Sequence, residues 1–392
     1  MNLLFYRYNS ICEPDLIYAF RAVGLHVVEE SYEIYTKRVA PSTRVSLIEK
    51  HLKEENPLFV FSVNFFPDIA EICHIYGTPY VGWTVDSPVP ELFSKAITYE
   101  TTHLYLFDYE QYLRFSPYNP EGIHYLPLGT NIDRFDKTLS TITTQEKKQF
   151  KHDISFVGSL YTEKNPLHQV DCLSDYTQGF IEALVNSSMK LYGANMIESA
   201  LSSQVVEDIL FHANNLYQIP DPIEPMDKYV IAHQYVGTQV TETERIQTLN
   251  ALAKHFNVHL YTRSATSSLK NVVVHEGANS LTEMPKILHL SKINLNMTSK
   301  PIMSGLPLRI FDIMGCGGFV MTNYQYEISE YFESGVDLEI YSSMDELLDK
   351  CSYYLTHDEE RVKIARNGYR KVRENHTWYH RIAKILKTIV LE

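Results

Sequence analysis

The sequence is poor in the residues that announce special chemistry. Its five cysteines (Cys12, Cys73, Cys172, Cys316 and Cys351) are odd in number and lie far apart. No CxxC pair and no zinc-module His/Cys spacing occurs, so reduced thiols are expected, with no metal and no disulfide frame. Apolar runs are short, and none approaches the roughly 20 residues that span a bilayer. The N-terminus MNLLFYRYNS lacks the basic-then-apolar order of a secretory signal. A cytoplasmic protein with at most peripheral membrane contact is therefore expected. Positive charge is also scarce: 35 Lys and Arg stand against 48 Asp and Glu, a formal net charge of −13. No Lys/Arg run is long enough to build a basic face, which excludes nucleic acid as a partner. No GxGxxG follows the first predicted strand, which counts against a dinucleotide oxidoreductase.

What remains is a globular chain of 392 residues, 44% apolar and 21% charged, enough for two domains with real cores. Short apolar runs alternate with helical periodicity from the start. Strands are predicted at 3–6, 27–28, 58–64, 80–86, 104–108 and 123–129, with helices at 14–23, 42–54 and 68–76 between them. The polar stretch 136–150 reads as a linker. A new strand at 153–160 opens a second series, with strands at 257–262, 271–277, 292–298 and 318–323 and helices at 242–256, 281–290, 307–315 and 344–355. Residues 170–215 carry helix formers and no strand signal, and read as a helical insertion. The prediction is an α/β fold of two Rossmann-like domains facing across a cleft, spanning 1–140 and 151–375, with ligands at the carboxyl ends of the strands.

The richest segment is 303-MSGLPLRIFDIMGCGGFVMTN-323. Ser304, Gly305, Leu306 and Pro307 form a small-residue loop immediately before a helix, where backbone amides and the helix dipole favour an anion. Arg309 stands in the first turn, where a cation is unfavourable unless it meets negative charge, and Asp312 follows on the same face. A carboxylate there suits a ribose diol. The other reading is a surface Arg–Asp pair before a glycine-rich helix stop.

This segment, with 291-SKINLN-296, 341-YSSMDELLDKCSYYL-355 and 361-RVKIARNGYRKVRENHTWYHR-381, resembles the donor-binding half of group-1 GT-B glycosyltransferases. It is most similar to the branch related to spore-maturation glycosyltransferases, and 82-GWTVDSP-88 and 126-LPLGTN-131 extend the similarity into the first half. The resemblance implies a nucleoside-diphosphate sugar donor, UDP-sugar foremost, with no cofactor or metal, and transfer with retention. Of the family's two acids separated by seven residues, the second falls on Asp312, the ribose ligand. The first falls on Ser304, a departure that weakens any sugar contact from that position. The resemblance also implies that amides of residues 304–308 hold the diphosphate. Gly158 and Ser159 would let the phosphates approach, Lys164 and Arg263 would add cationic charge, and Glu276 would border the base. The chemistry asks for such cations, because charge grows on the leaving β-phosphate. Lys300 stands in reserve.

In the first half, Asp86 lies near a strand end beside Trp83 and is the candidate base for an acceptor hydroxyl, with Asn64 near it. Trp83 is expected to offer an aromatic face to a sugar. An Asx turn before Pro88 is the plainer reading of Asp86. The basic, amphipathic segment 376–392 is expected to pack back on the first domain. The acceptor, held by the first domain, is a glycan, a protein or a lipid-linked hydroxyl. Two other readings stay open: a sugar-nucleotide epimerase on the same fold, and a non-catalytic sugar-nucleotide-binding or partner protein, which Ser304 favours.

Overall fold

Among the described residues each of the eleven predicted apolar runs holds a strand, and a twelfth strand, Glu339–Tyr341, was not predicted; apolar residues buried on both faces of most of them suit parallel sheets covered by helices. The structure is a computed structural model and describes residues 2–36, 39–213 and 216–391. The first sheet holds β1 (Asn2–Tyr6), β2 (His26–Glu30), β3 (Phe59–Val63), β4 (Tyr80–Trp83), β5 (Thr102–Leu106) and β6 (Ile123–Tyr125), in the order β2-β1-β3-β4-β5-β6. The second holds β7 (Ile154–Val157), β8 (Val258–Tyr261), β9 (Val273–His275), β10 (Ile293–Asn296), β11 (Val320–Asn323) and β12 (Glu339–Tyr341), in the order β12-β11-β10-β7-β8-β9. The strand ladders are parallel in both. Each is thus a doubly wound sheet, and strand order reverses between β1 and β3 in the first and between β7 and β10 in the second. Such switch points are where open α/β sheets take ligands.

The chain divides into two units. The first comprises residues 1–129, 217–226 and 377–392; the second comprises 130–216 and 227–376. In the first, the helix Trp378–Leu391 packs on the helix Glu13–Ala22. Trp378 meets Trp83 edge to face at 5.1 Å, and Arg381 donates to the Pro127 carbonyl at 2.8 Å. In the second, Ile154, Phe156, Val258, Leu260 and Leu295 pack with Leu249, Leu252 and Leu347 to form the core.

Three sequence expectations change. The supposed linker 136–150 is largely helical: Ile132–Leu139 ends within it, and Thr144–Gln149 starts at a capping box in which Thr143 and Glu146 satisfy each other's backbone amides. The capping box stood in the sequence but lacked the apolar stripe that marks a helix. The helix expected at 242–256 starts much earlier: Asp227–Val230, a π-helical stretch Ile231–Val236 and Gly237–Leu252 follow one another. A π turn shifts the 3.6-residue period, so the apolar positions on its two sides fall out of phase. Trp83 is fully buried, with its indole N–H reaching the Leu126 carbonyl at 3.3 Å, so it fills the core and offers no face to a sugar. Among the described residues no helix is long and apolar enough to cross a membrane.

Candidate functional site

Because the second sheet is parallel, the residue after each strand comes to one edge. Gly158 and Ser159 follow β7, Arg263 follows β8, Glu276 and Gly277 follow β9, and the long loop to Leu308 follows β10. The switch point lies between β7 and β10, so the Gly158–Ser159 turn and the 297–307 loop flank it. Gly158, Ser159, Arg263, Glu276 and the loop that holds residues 304–307 are therefore gathered on one edge.

The turn after β7 is tightly tied. Gly158 N–H donates to the Tyr261 carbonyl at 3.1 Å, and Leu160 N–H reaches the Ser264 hydroxyl at 2.8 Å. The Ser159 hydroxyl donates to Glu163 at 2.8 Å. Lys164 is exposed, with its ammonium 5.4 Å from the centre of the Tyr161 ring. Arg263 is exposed and lies across Gly277, where an added Cβ would stand 2.7 Å from its side chain; a larger residue there would displace it. Glu276 is exposed beside them.

The loop after β10 is held from behind by the segment after β11. Ser304, buried at 4% exposure, donates its hydroxyl to Glu327 at 2.7 Å. The Gln325 amide donates to the Gly305 and Ile302 carbonyls at 3.3 and 3.4 Å. With its carbonyls tied down, the loop enters the helix Leu308–Gly315 at Pro307, which is the N-cap. Proline has no N–H, so of residues 304–308 only Ser304, Gly305, Leu306 and Leu308 carry an amide donor.

Arg309 and Asp312 form the expected i, i+3 pair at 3.3 Å, the arginine half-buried and the aspartate buried. Asp312 also accepts from the Thr130 hydroxyl at 2.9 Å, so its two oxygens face different donors. The glycines that follow are dictated by contact. A Cβ on Gly315 would meet Thr130 and Phe135 at 2.8 and 3.2 Å, and one on Gly318 would meet the Leu288 carbonyl at 2.5 Å.

Two charged residues at this edge were not singled out by sequence reasoning. Arg245 is buried on the helix Gly237–Leu252, and its guanidinium donates to the Ser159 carbonyl at 2.6 Å and to the Met297 carbonyl. It thus pins the two loops that flank the switch point and leaves a cation beneath them. An arginine in register with Thr241, Thr248 and Leu252, on a stripe otherwise uncharged, was the signal that could have found it. Glu244 beside it lines a pocket of about 590 Å³ with Tyr192, Gln247, Ser342 and Ser343. Burial pushes its carboxyl up to about 7, against the opposing pull of Lys300 and Arg245. Lys300 itself is committed to the helical insertion, donating to the Ser188 carbonyl at 2.9 Å and to that of Leu191.

In the first unit, Asn64, in a left-handed conformation (φ 58°), closes the end of β3 onto β4. Its amide donates to Asp86 at 2.8 Å and to the Tyr8 hydroxyl at 2.9 Å, and its oxygen accepts from Val85 N–H at 2.9 Å. Asp86 is exposed. Asp86, Asn64 and Tyr8 thus meet at the carboxyl ends of β4, β3 and β1.

Residues 244–387 match a protein family described as glycosyl transferase-like. Among curated proteins no relative matches in sequence. Among solved structures, the chain is similar to HepE from Anabaena in complex with UDP-glucose, at 12% identity and a TM-score of 0.53, covering 99% of this chain and 100% of that one. It is similar to a UDP-forming trehalose-phosphate synthase from Burkholderia xenovorans, at 10% identity and 0.55, covering 99% and 98%. A sucrose-phosphate synthase from Thermosynechococcus elongatus gives 11% identity and 0.53, covering 98% and 97%. The chain has the two-sheet GT-B architecture, and the glycosyl transferase-like match begins in its second unit and ends in the C-terminal helix of the first.

Proposed function

We propose that this chain is a glycosyltransferase that moves a sugar from a nucleoside-diphosphate donor, a UDP-sugar, to an acceptor hydroxyl. The observation that carries the reading is the edge of the second sheet. There the Ser159 turn, the 304–308 loop, Arg263 and the Arg309–Asp312 pair converge on the switch point, with Arg245 pinning both loops from below. Amides of residues 304–306 and 308 bind the diphosphate, and Arg309 and Arg263 offset the charge that grows on the leaving phosphate, so transfer needs no metal. Lys164 adds cationic charge from the turn after β7. Asp312 takes the ribose diol with the oxygen that faces Arg309 and keeps Thr130 on the other. Glu276 borders the base. Asp86, oriented by Asn64, takes the acceptor proton in the first unit. We assign retention of configuration from the resemblance of the 303–323 motif to group-1 glycosyltransferases. The structures that carry UDP-glucose on this fold support the choice of uridine.

A second reading follows from the Ser304–Glu327 bond. The carboxylate that serves this loop is spent on the serine, which suits a protein that binds the donor and does not transfer it. A thermal-shift screen with UDP-, GDP-, ADP- and dTDP-sugars in EDTA, repeated on Arg309→Ala, tests the donor site, because a ligand of the native state raises its melting temperature. A UDP-specific shift that Arg309→Ala abolishes supports the site; no shift with any nucleotide overturns it. Release of UDP with candidate acceptors then separates transfer from binding alone.

A further inference from the structure

Three histidines distant in sequence meet on the second sheet. His152 lies two residues before β7, His259 is in β8 and His275 ends β9. These strands are neighbours, and one ring nitrogen from each histidine lies within 4.8 Å of the others. We infer that His152, His259 and His275 form a binding site for a divalent first-row transition-metal ion, with zinc the best fit. No Cys or His spacing in the sequence shows it, because each ligand comes from a different strand.

The geometry is closest at His259 and His275, whose Nδ1 and Nε2 stand 2.8 Å apart with nearly parallel rings. A hydrogen bond between two imidazoles holds one proton between two lone pairs, which is the place an ion takes. Two imidazole ligands at ~2.0–2.1 Å from a tetrahedral zinc stand about 3.3 Å apart. Replacing the proton by the ion therefore widens the pair by only about 0.5 Å. His152 stacks on His259 at 3.7 Å and pairs with the Tyr261 hydroxyl at 2.7 Å. A metal lies in the plane of each ring it binds, so His152 must turn off this stack to become the third ligand.

The chemistry of the donors fits. Burial and the neighbouring histidines hold His152 down to about 4, and burial also lowers His259 and His275. All three are thus neutral at pH 7, with lone pairs to donate. Imidazole suits zinc, copper and nickel, and three histidines with a fourth position for water form a known zinc geometry. His259 and His275 are half-buried, which leaves an entry path. Asp153 lies close enough to favour positive charge at His152 and His259. The ion would tie β9, a three-residue edge strand with exposed side chains, to β7 and β8. That would steady the Glu276–Gly277 turn beyond it.

The test uses the full chain without a histidine tag, stripped with EDTA and dialysed. Zinc titration by calorimetry should give about one equivalent per chain, cobalt should give the visible absorption of a nitrogen-ligated tetrahedral ion, and zinc should raise the melting temperature. His259→Gln/His275→Gln should bind zinc more than ~100-fold more weakly, beyond the ~10–100-fold that losing an outer partner costs. His255→Gln, an exposed histidine elsewhere, should bind like the wild type. If the double variant fails to fold, His275→Gln alone is measured, at the exposed edge where it disturbs least. Absence of stoichiometric zinc binding, or wild-type binding by the His275 variants, overturns the site.

Discussion

Asp312→Ala removes a carboxylate whose two oxygens face different partners, and so separates structural from ligand-binding work. One oxygen accepts from Thr130, which is buried at 1% exposure; a hydrogen bond to a charged acceptor is worth about 1.5–3 kcal/mol. The other pairs with Arg309, whose side chain is 22% exposed, so screening limits that pair to about 1 kcal/mol. Together the loss is about 2–4 kcal/mol, or roughly 5–15 °C in melting temperature for a unit of this size. Donor binding should suffer separately: a ribose diol that loses its charged acceptor costs about 1.5–3 kcal/mol, or ~10- to 150-fold in Kd for UDP. Thr130→Val is the control. It should lower stability by about 1.5–3 kcal/mol, the worth of the same hydrogen bond, and leave the UDP Kd within about twofold, because the carboxylate remains. Both variants go through denaturant melts and UDP calorimetry at a temperature where circular dichroism shows them folded. A folded Asp312→Ala protein that binds UDP as tightly as the wild type refutes the ribose role. So does a Thr130→Val protein that loses as much affinity as Asp312→Ala, since the residue would then act only through packing.

Other expectations test the fold and its electrostatics. Trp83→Ala should cost about 3–5 kcal/mol in a urea melt, as a buried aromatic that packs on Trp378; an unchanged midpoint would return Trp83 to the surface. Gly318→Ala should cost about 1–3 kcal/mol, since its Cβ would press on the Leu288 carbonyl, and a neutral result would show that this turn yields. Glu244 has a folded-state value raised to about 7, above the ordinary 4.5, so its contribution is complete below pH 4.5 and is lost as pH rises through 7. Glu244→Gln should therefore gain on the order of 2–3 kcal/mol relative to wild type between pH 5 and pH 8, and parallel pH profiles for the two proteins would sink this assignment.

The parallel strands were legible because fully buried strands read as continuous apolar runs bounded by turns, as Phe59–Val63 does. The helix Leu308–Gly315 was legible for a different reason: a loop of small residues and proline marks its start, and Gly317, at φ 69°, marks its stop. Periodicity fails where the helix changes pitch, as at Ile231–Val236, and where a cap rather than an apolar face makes the helix, as at Thr143. It also cannot distinguish a tryptophan at the end of a buried strand from one at its mouth, which is why Trp83 was misjudged. For the site, linear motifs reach only residues close in sequence. Asp312 and Arg309 share a helical turn, whereas Arg245 reaches Ser159 and Met297 only through tertiary packing. The Ser304–Glu327 bond, across two strand ends, was hidden in the same way.

The first unit draws its last helix from residues made after the whole of the second. During synthesis, therefore, the sheet that emerges before the second unit waits for a segment that emerges after it. Until Trp378 and Arg381 leave the ribosome, Trp83 has no ring to meet and the Pro127 carbonyl lacks its guanidinium donor. The second unit, contained between these pieces of chain, can settle earlier. A nascent chain stalled before residue 377 should then yield to protease first in its N-terminal portion, which is the reverse of the order in which the ribosome delivers it.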